Sequence, residues 1–298
     1  MPRISVVVPA HNAANTITAT LLSAVRNEVT EILVVDDVST DTTRDLVSAV
    51  PAATLISRTE VGGPAAARNE GLQHASGEFV LFLDGDDELV DGAVTQLAAG
   101  FTDGVVAVMG RFEAVDDNGE PLDIGTWANE QLRPVVRRRG RYVSSPDGYS
   151  SEALVTRLVV PPPSGILIRR DVAQRIGGYD VTLGRSEDLD FLVRLSREGS
   201  ITSIPHVVVK YRRAPGQRSQ ATTARQRGRQ RTLIHMIFGA PTRLERWRIA
   251  RGAAAHHFDR AGVRWRGANG LSDRVVALRS YGLGAAFRMV GVIGYLAP

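Results

Sequence analysis

The chain has 298 residues, 43% of them apolar and 23% charged, which is enough to bury a full core and too apolar to stay disordered. It contains no cysteine, so disulfides, thiolate metal centres, iron–sulfur clusters and cysteine nucleophiles are excluded. The net charge of +4 hides a split: from residue 223 onward, fourteen arginines against Glu245, Asp259 and Asp273 give +11, leaving −7 on the rest.

Residues 3–8 (Arg-Ile-Ser-Val-Val-Val) read as a buried strand ended by Pro9. This run is too short for a signal peptide, and nowhere do about 18 apolar residues follow one another, so a cytoplasmic protein without a spanning helix is expected. Helical spacing runs from Asn15, a capping residue type, to about Arg26, with Ile17, Leu21, Leu22 and Val25 on one side. Glu31–Val35 is a second strand closing on Asp36 and Asp37, and Ser39-Thr40-Asp41 opens a helix to about Ala49. Thr54–Ile56 is a short third strand, Gly62-Gly63-Pro64 a loop, and Ala65 to about His74 a helix. Glu78–Leu83 is the fourth strand. Strands alternating with helices indicate a mostly parallel α/β sheet, and the polar residues cluster at the C-terminal strand ends, where such sheets place ligands.

A strand from Val105 to Phe112 precedes a polar excursion that holds five arginines between Arg133 and Arg141. Pro163-Ser164-Gly165 leads into the strand Ile166–Ile168. Gly177-Gly178-Tyr179-Asp180 is a turn, and Ser186-Glu187-Asp188 begins a helix through Arg197 with Leu189, Leu192, Val193 and Leu195 on its apolar face. Val207–Val209 makes a last strand. Beyond residue 222 the pattern is helical and arginine-studded, so the chain divides into residues 1–218 and a basic helical extension, 219–298.

The most conspicuous feature is the segment 82–89, Phe-Leu-Asp-Gly-Asp-Asp-Glu-Leu, where a buried strand ends in Asp84, Asp86 and Asp87. Clustered carboxylates repel and lose solvent. The plain reading is a solvated turn. The functional one is a site for a hard divalent cation, which prefers carboxylate oxygens and shares its shell with water and phosphate. The calcium-loop spacing of an EF-hand is missing.

Four segments in order, ISVVVPAHN, ILVVDDVSTDTT, GGPAAARNEGLQHASGEFVLFLDGDDEL and IGGYDVTLGRSEDLDFLVRLSREG, resemble the family 2 glycosyltransferases with the GT-A fold over roughly residues 3–215. The resemblance implies a Rossmann-like, mostly parallel sheet flanked by helices. It also implies a sugar nucleotide donor (a UDP-sugar favoured), Mn²⁺ or Mg²⁺, and inversion by a single displacement. Pro9, Ala10, His11 and Asn12 match the loop bordering the nucleoside, with His11 either stacked on the base or a loop histidine. Asp37 matches the carboxylate that takes a hydrogen bond from the base, and Asp36 a structural or ribose-directed acid. Arg68 and Asn69 match the support of the nucleotide and the acidic loop, and an Arg68 ion pair with one of the aspartates fits as well.

Asp84, Gly85 and Asp86 match the metal motif, with Asp86 on the metal, Asp84 nearer ribose and sugar, and Asp87 in a lesser supporting or helix-starting place. Asp188 matches the base that deprotonates the acceptor, with Glu187 its rival. By local pattern alone, Ser186 and the acids after it would simply begin a helix. Ala214 stands where the family frequently has a histidine, so Arg212, Arg213 or Arg218 is expected on the diphosphate instead.

The implied activity is hexosyl or N-acetylhexosaminyl transfer to a glycan, lipid-linked or polyol acceptor in envelope or surface polysaccharide synthesis. The alternative is a non-catalytic sugar-nucleotide-binding or scaffolding protein. Two roles are open to the extension: packing or homo-oligomer formation through its helices, and peripheral contact with the inner membrane face through 281–296 and upstream arginines. No nucleic-acid module is recognisable.

Overall fold

The computed structural model describes residues 2–122, 162–183, 186–213 and 232–254 in full, residues 154–155 and 286, and the backbone alone at 135–138, 141–144 and 255–266. Its first half alternates strand and helix: β1 (Ile4–Ala10), α1 (Ile17–Arg26), β2 (Glu31–Asp36), α2 (Thr43–Ser48), β3 (Ala53–Ser57), α3 (Gly63–His74) and β4 (Phe79–Phe82). There follow β5 (Glu88–Leu89), α4 (Ala93–Ala99), β6 (Val105–Val115), the hairpin β7 (Val135–Arg138) and β8 (Arg141–Ser144), and β9 (Ile166–Arg169). The chain continues through α5 (Arg170–Arg175), α6 (Glu187–Glu198), β10 (Ser200–Arg212), α7 (232–238) and α8 (Arg243–Arg266).

Eight strands form one sheet in the order β3-β2-β1-β4-β9-β6-β10-β5. The four strands from β3 to β4 are parallel, as the alternating pattern predicts. Parallel direction is lost at β9, which runs antiparallel to both β4 and β6, with Ile168 opposite Val80 and Ala107. The short β5 runs antiparallel to β10, and neither β5 nor α5 has a clear signal in the sequence. β10 is longer than its Val207–Val209 core; register shifts near Ser203 and Val207 accommodate Pro205, which has no N–H for the ladder.

The two-residue period of a strand explains how one apolar run serves two layers. Val7, Leu33 and Val35 face Ala67 and Leu72 of α3, together with α5 and α6, whereas Val6, Val8, Ile32 and Val34 face Ile17, Leu21 and Ala24 of α1, Val47 of α2 and Leu97 of α4. Leu233, Met236, Ile237, Ile249 and Ala253 of the C-terminal helices join the first of these layers. They share it with Leu192 and Leu195 of α6, and Arg197 of α6 meets Glu245 of α8 at 3.4 Å. The expected boundary at 218/219 lies outside the described residues.

The chain leaves β1 for β2 on one side and returns to β4 on the other. The C-terminal ends of β1 and β4 therefore face a common crevice, the position where open α/β sheets bind ligands.

Candidate active site

Three loops build one wall of that crevice. After β1, Asn12 takes a left-handed conformation (φ 50°) that asparagine tolerates. The loop is stitched to the one after β2: the Asn12 N–H donates to Ser39 Oγ (2.9 Å), Ala13 N–H to Thr43 Oγ1 (2.8 Å), and Thr40 N–H to Asn12 Oδ1 (2.8 Å). Pro9 and Ala10 end β1, and exposed His11 donates through Nδ1 to the Asp37 carbonyl at 2.7 Å, with Nε2 3.4 Å from Asn12 Nδ2. Gly85 packs against the same loop, its carbonyl accepting the Thr16 hydroxyl at 2.7 Å.

The paired acids after β2 have different surroundings. Asp36 is fully buried, accepting from Arg44 Nε at 2.6 Å and from the Ser39 N–H, which makes it structural. Asp37 sits at the start of α3, where backbone N–H groups favour an anion. Its Oδ1 accepts from Gly62 N–H (2.9 Å) and lies 3.0 Å from Arg58 Nε, and its Oδ2 accepts from Gly63 N–H (2.7 Å). Gly63 has φ 75°, a conformation that side chains resist, so glycine is what lets this N–H face the carboxylate. Arg58, further held by Glu70 at 2.7 Å, was not singled out from the sequence, although its place at the end of a strand is the signal that would have found it.

Arg68 of α3 links the two acidic motifs. Its Nη2 donates to Asp84 Oδ1 at 2.5 Å and its Nη1 lies 3.5 Å from Glu187 Oε1. Nε and Nη1 make no hydrogen bond among the described residues. Burial opposes the Arg68 cation, but Asp84 outweighs it, with help from Tyr179 and Glu187, so the group is more firmly charged than a free arginine. The guanidinium lies 5.1 Å over the Tyr179 ring, which stacks on Phe191 at 4.2 Å. Asn69 holds that tyrosine in place, donating to the Tyr179 carbonyl (2.8 Å) and accepting its N–H (2.7 Å).

At the end of β4, Asp84 and Asp86 are partly exposed, whereas Asp87 is wholly buried. Asp87 accepts the Ser164 hydroxyl at 2.5 Å and the Arg212 N–H at 3.1 Å. Burial, with Asp86 and Asp84 alongside, raises its carboxyl well above the usual range. It does not start a helix; the chain continues into β5.

Arg212, expected on a diphosphate, is engaged elsewhere. Its guanidinium donates to the carbonyls of Asp86 (3.2 Å), Asp116 (3.0 Å) and Asp117 (2.8 Å) and to Glu88 Oε1 (2.8 Å). Arg218 lies outside the described residues, as do the side chains of Arg133–Arg141 and, apart from residue 286, the segment 281–296.

The second acidic motif opens α6. Ser186 makes no side-chain cap and holds a left-handed φ of 66°, an uncommon conformation beside two acids. Glu187 is turned toward Arg68, and burial, then Asp188, raises its carboxyl against the opposing pull of that arginine. Asp188 is partly exposed, with Oδ1 accepting the Leu189 N–H at 2.8 Å. The third acid, Asp190, is buried and paired with Arg194 at 2.8 Å, so it belongs to the core.

No group of three or more His, Cys, Asp or Glu side chains forms a metal cage among the described residues. Two partly exposed carboxylates, Asp84 and Asp86, fit a hard cation of the kind that takes the rest of its shell from water and phosphate oxygens.

Comparison with known proteins identifies the family and the fold. The model of glycosyl transferase family 2 matches residues 5–176. A poly(ribitol-phosphate) beta-glucosyltransferase of Bacillus spizizenii is 25% identical over 217 residues, 69% of this chain and 34% of that protein. An Escherichia coli beta-1,3-glucosyltransferase acting from UDP-Glc on α-D-GlcNAc-diphosphoundecaprenol is 32% identical over 120 residues, 39% of this chain and 47% of its own. The chain thus spans between about a third and a half of these relatives' length. Residues 1–349 of Staphylococcus aureus TarS with UDP-GlcNAc superpose with a TM-score of 0.68 at 19% identity, covering 98% of this chain and 89% of that one, which shows the GT-A fold. The matched segment contains the strand-end loops and Asp84–Asp87, and the chain belongs to glycosyl transferase family 2.

Proposed function

We propose that this glycosyltransferase moves a hexosyl or N-acetylhexosaminyl group, with inversion, from a UDP-sugar to a hydroxyl of a glycan, lipid-linked or polyol acceptor. The observation that carries this reading is the chain of contacts Asp84–Arg68–Glu187, which brings the β4 acids and the α6 acids into one crevice at the switch point of the sheet. The glucosyltransferase relatives, one acting on a ribitol-phosphate polymer and one on a diphosphoundecaprenol-linked sugar, support an acceptor from envelope glycan synthesis. Among the described residues no helix is long and apolar enough to cross a membrane.

In this reading the loop Pro9–Asn12 borders the nucleoside and Asp37 receives the base N–H, oriented by Gly62, Gly63 and Arg58. Asp84 and Asp86 hold Mn²⁺ or Mg²⁺, which when bound neutralises diphosphate charge. Arg68 keeps Asp84 and Glu187 together despite their like charge. Asp188 is assigned as base over Glu187, because Glu187 is committed to Arg68 and has only 14% of its side chain exposed. The Asp188 carboxylate takes the acceptor hydroxyl proton as that oxygen bonds to the anomeric carbon. On the opposite face the bond from the anomeric carbon to the phosphate oxygen breaks, and the nucleoside diphosphate leaves with the electron pair. The test is a panel of sugar nucleotides incubated with and without Mn²⁺ or Mg²⁺ and a glycan acceptor. Metal-dependent release of nucleoside diphosphate is expected; absence of both release and donor binding across the panel overturns the reading.

A further inference from the structure

We propose that Asp87 is a positioning residue of the donor site, fastening the loop that carries Asp84 and Asp86 to the turn before β9 and to the end of β10. The proposal rests on the reading of Asp84 and Asp86 as donor-site carboxylates. Its physical basis is a closed set of hydrogen bonds. The Ser164 hydroxyl has one proton, which it gives to Asp87 Oδ2 at 2.5 Å; its lone pairs then face the Asp84 N–H, which donates at 3.1 Å. The other Asp87 oxygen accepts the Arg212 N–H at 3.1 Å, while Arg212 Nε reaches the Asp86 carbonyl at 3.2 Å and Nη2 the Glu88 carboxylate at 2.8 Å. Asp87 N–H closes the turn on the Asp84 carbonyl at 3.0 Å.

Main-chain or side-chain atoms of Asp84, Asp86, Asp87 and Glu88 are therefore all held by partners 77 to 126 residues away. Three aspartates on so short a loop repel, and a loop tied only at its strand would open to separate them. Asp87 is fully buried and Ser164 equally so, which leaves solvent unable to replace either partner. Outer partners of this kind set the geometry of the residues that touch the ligand. A consequence follows that spacing alone does not suggest: Ser164, on the turn before β9, sets donor affinity.

Two variants of the full chain test this. Asp87→Asn keeps the size and removes the charge, and Ser164→Ala removes the hydroxyl alone. Binding of UDP in the presence of Mn²⁺ is measured by calorimetry, and hydrogen exchange is followed on the peptide spanning 83–88. Both variants are expected to remain folded by circular dichroism, to bind UDP with Mn²⁺ about tenfold to a hundredfold more weakly, and to exchange faster at 83–88. A merely structural role lowers the melting temperature and leaves affinity, measured well below it, unchanged. Should Asp87→Asn fail to fold, Ser164→Ala decides. Unchanged exchange at 83–88, or unchanged affinity in folded Ser164→Ala, overturns the proposal. A wild-type chain that binds neither UDP nor any other nucleoside diphosphate with Mn²⁺ overturns the functional reading instead, and the exchange result then decides the brace by itself.

Discussion

Asp188 and Glu187 are adjacent in the chain but differ in environment, and that difference yields two measurements. Asp188 is partly exposed and its role is proton transfer, so Asp188→Asn should lower turnover by about two to four orders of magnitude while donor affinity stays near that of wild type. Steady-state kinetics beside a direct binding titration check this, and lost donor binding would reassign the residue. Glu187 is raised by burial and by Asp188, so the folded chain holds that proton to higher pH than the unfolded chain does. Ionisation near neutral pH then costs stability, and the cost vanishes once both states are protonated, below about pH 4. Glu187→Gln should accordingly melt higher than wild type near pH 7, with the gap closing as pH falls toward about 4. A gap of constant size across a fluorimetric pH series would show that the titration is not its cause.

The element that organises the site is α3, because its first turn receives Asp37, its middle supplies Arg68 and Asn69, and its inner face lies on the sheet. Its close approach depends on Gly71: an added Cβ would overlap Val7 Cγ1 and sit 3.1 Å from Cγ2 and 3.2 Å from Val35 Cγ2. Gly71→Ala must push α3 off β1 and should cost about 1–3 kcal/mol, read as a lower urea midpoint. The same displacement would withdraw Arg68 from Asp84, so donor binding should weaken in a variant that touches no ligand. Donor affinity equal to wild type would show that α3 can shift without moving the site. The antiparallel β9 has a comparable organising role, since it places Ser164 beside the β4 acids.

For the whole molecule, the described part of the arginine-rich C-terminal region, α7 and the first half of α8, is part of the fold that supports the site. Leu233, Met236, Ile237 and Ile249 are buried with α6, the helix that carries Asp188. Ile249→Ala should cost about 2–5 kcal/mol, as deletion of a fully buried aliphatic side chain does, and the loss should appear in one cooperative transition that includes the sheet. Calorimetry distinguishes this from an independent extension, which would melt in a separate step and leave the first transition unmoved.

What the sequence determined by itself was the alternation of strands and helices, the crevice at the ends of β1 and β4, and the acids that face it. Those features are written in neighbouring residues: a period of two or of 3.6, a Pro or Gly at a boundary, a polar residue just past an apolar run. The family resemblance added roles for Asp37, Asp84, Asp86 and Asp188 because its four motifs occur in order. Only the tertiary structure decided which charges neutralise one another. Buried Asp36 pairs with Arg44 and buried Asp190 with Arg194, Arg212, expected on the diphosphate, is engaged by the acidic loop, and Asp87 is joined to Ser164. The first two of these pairings are short in sequence, but burial decides their meaning; the others span 77 residues or more. A carboxylate in a sequence is the same whether it meets water, an arginine or a buried hydroxyl. Which of these it meets depends on the crossing of distant strands.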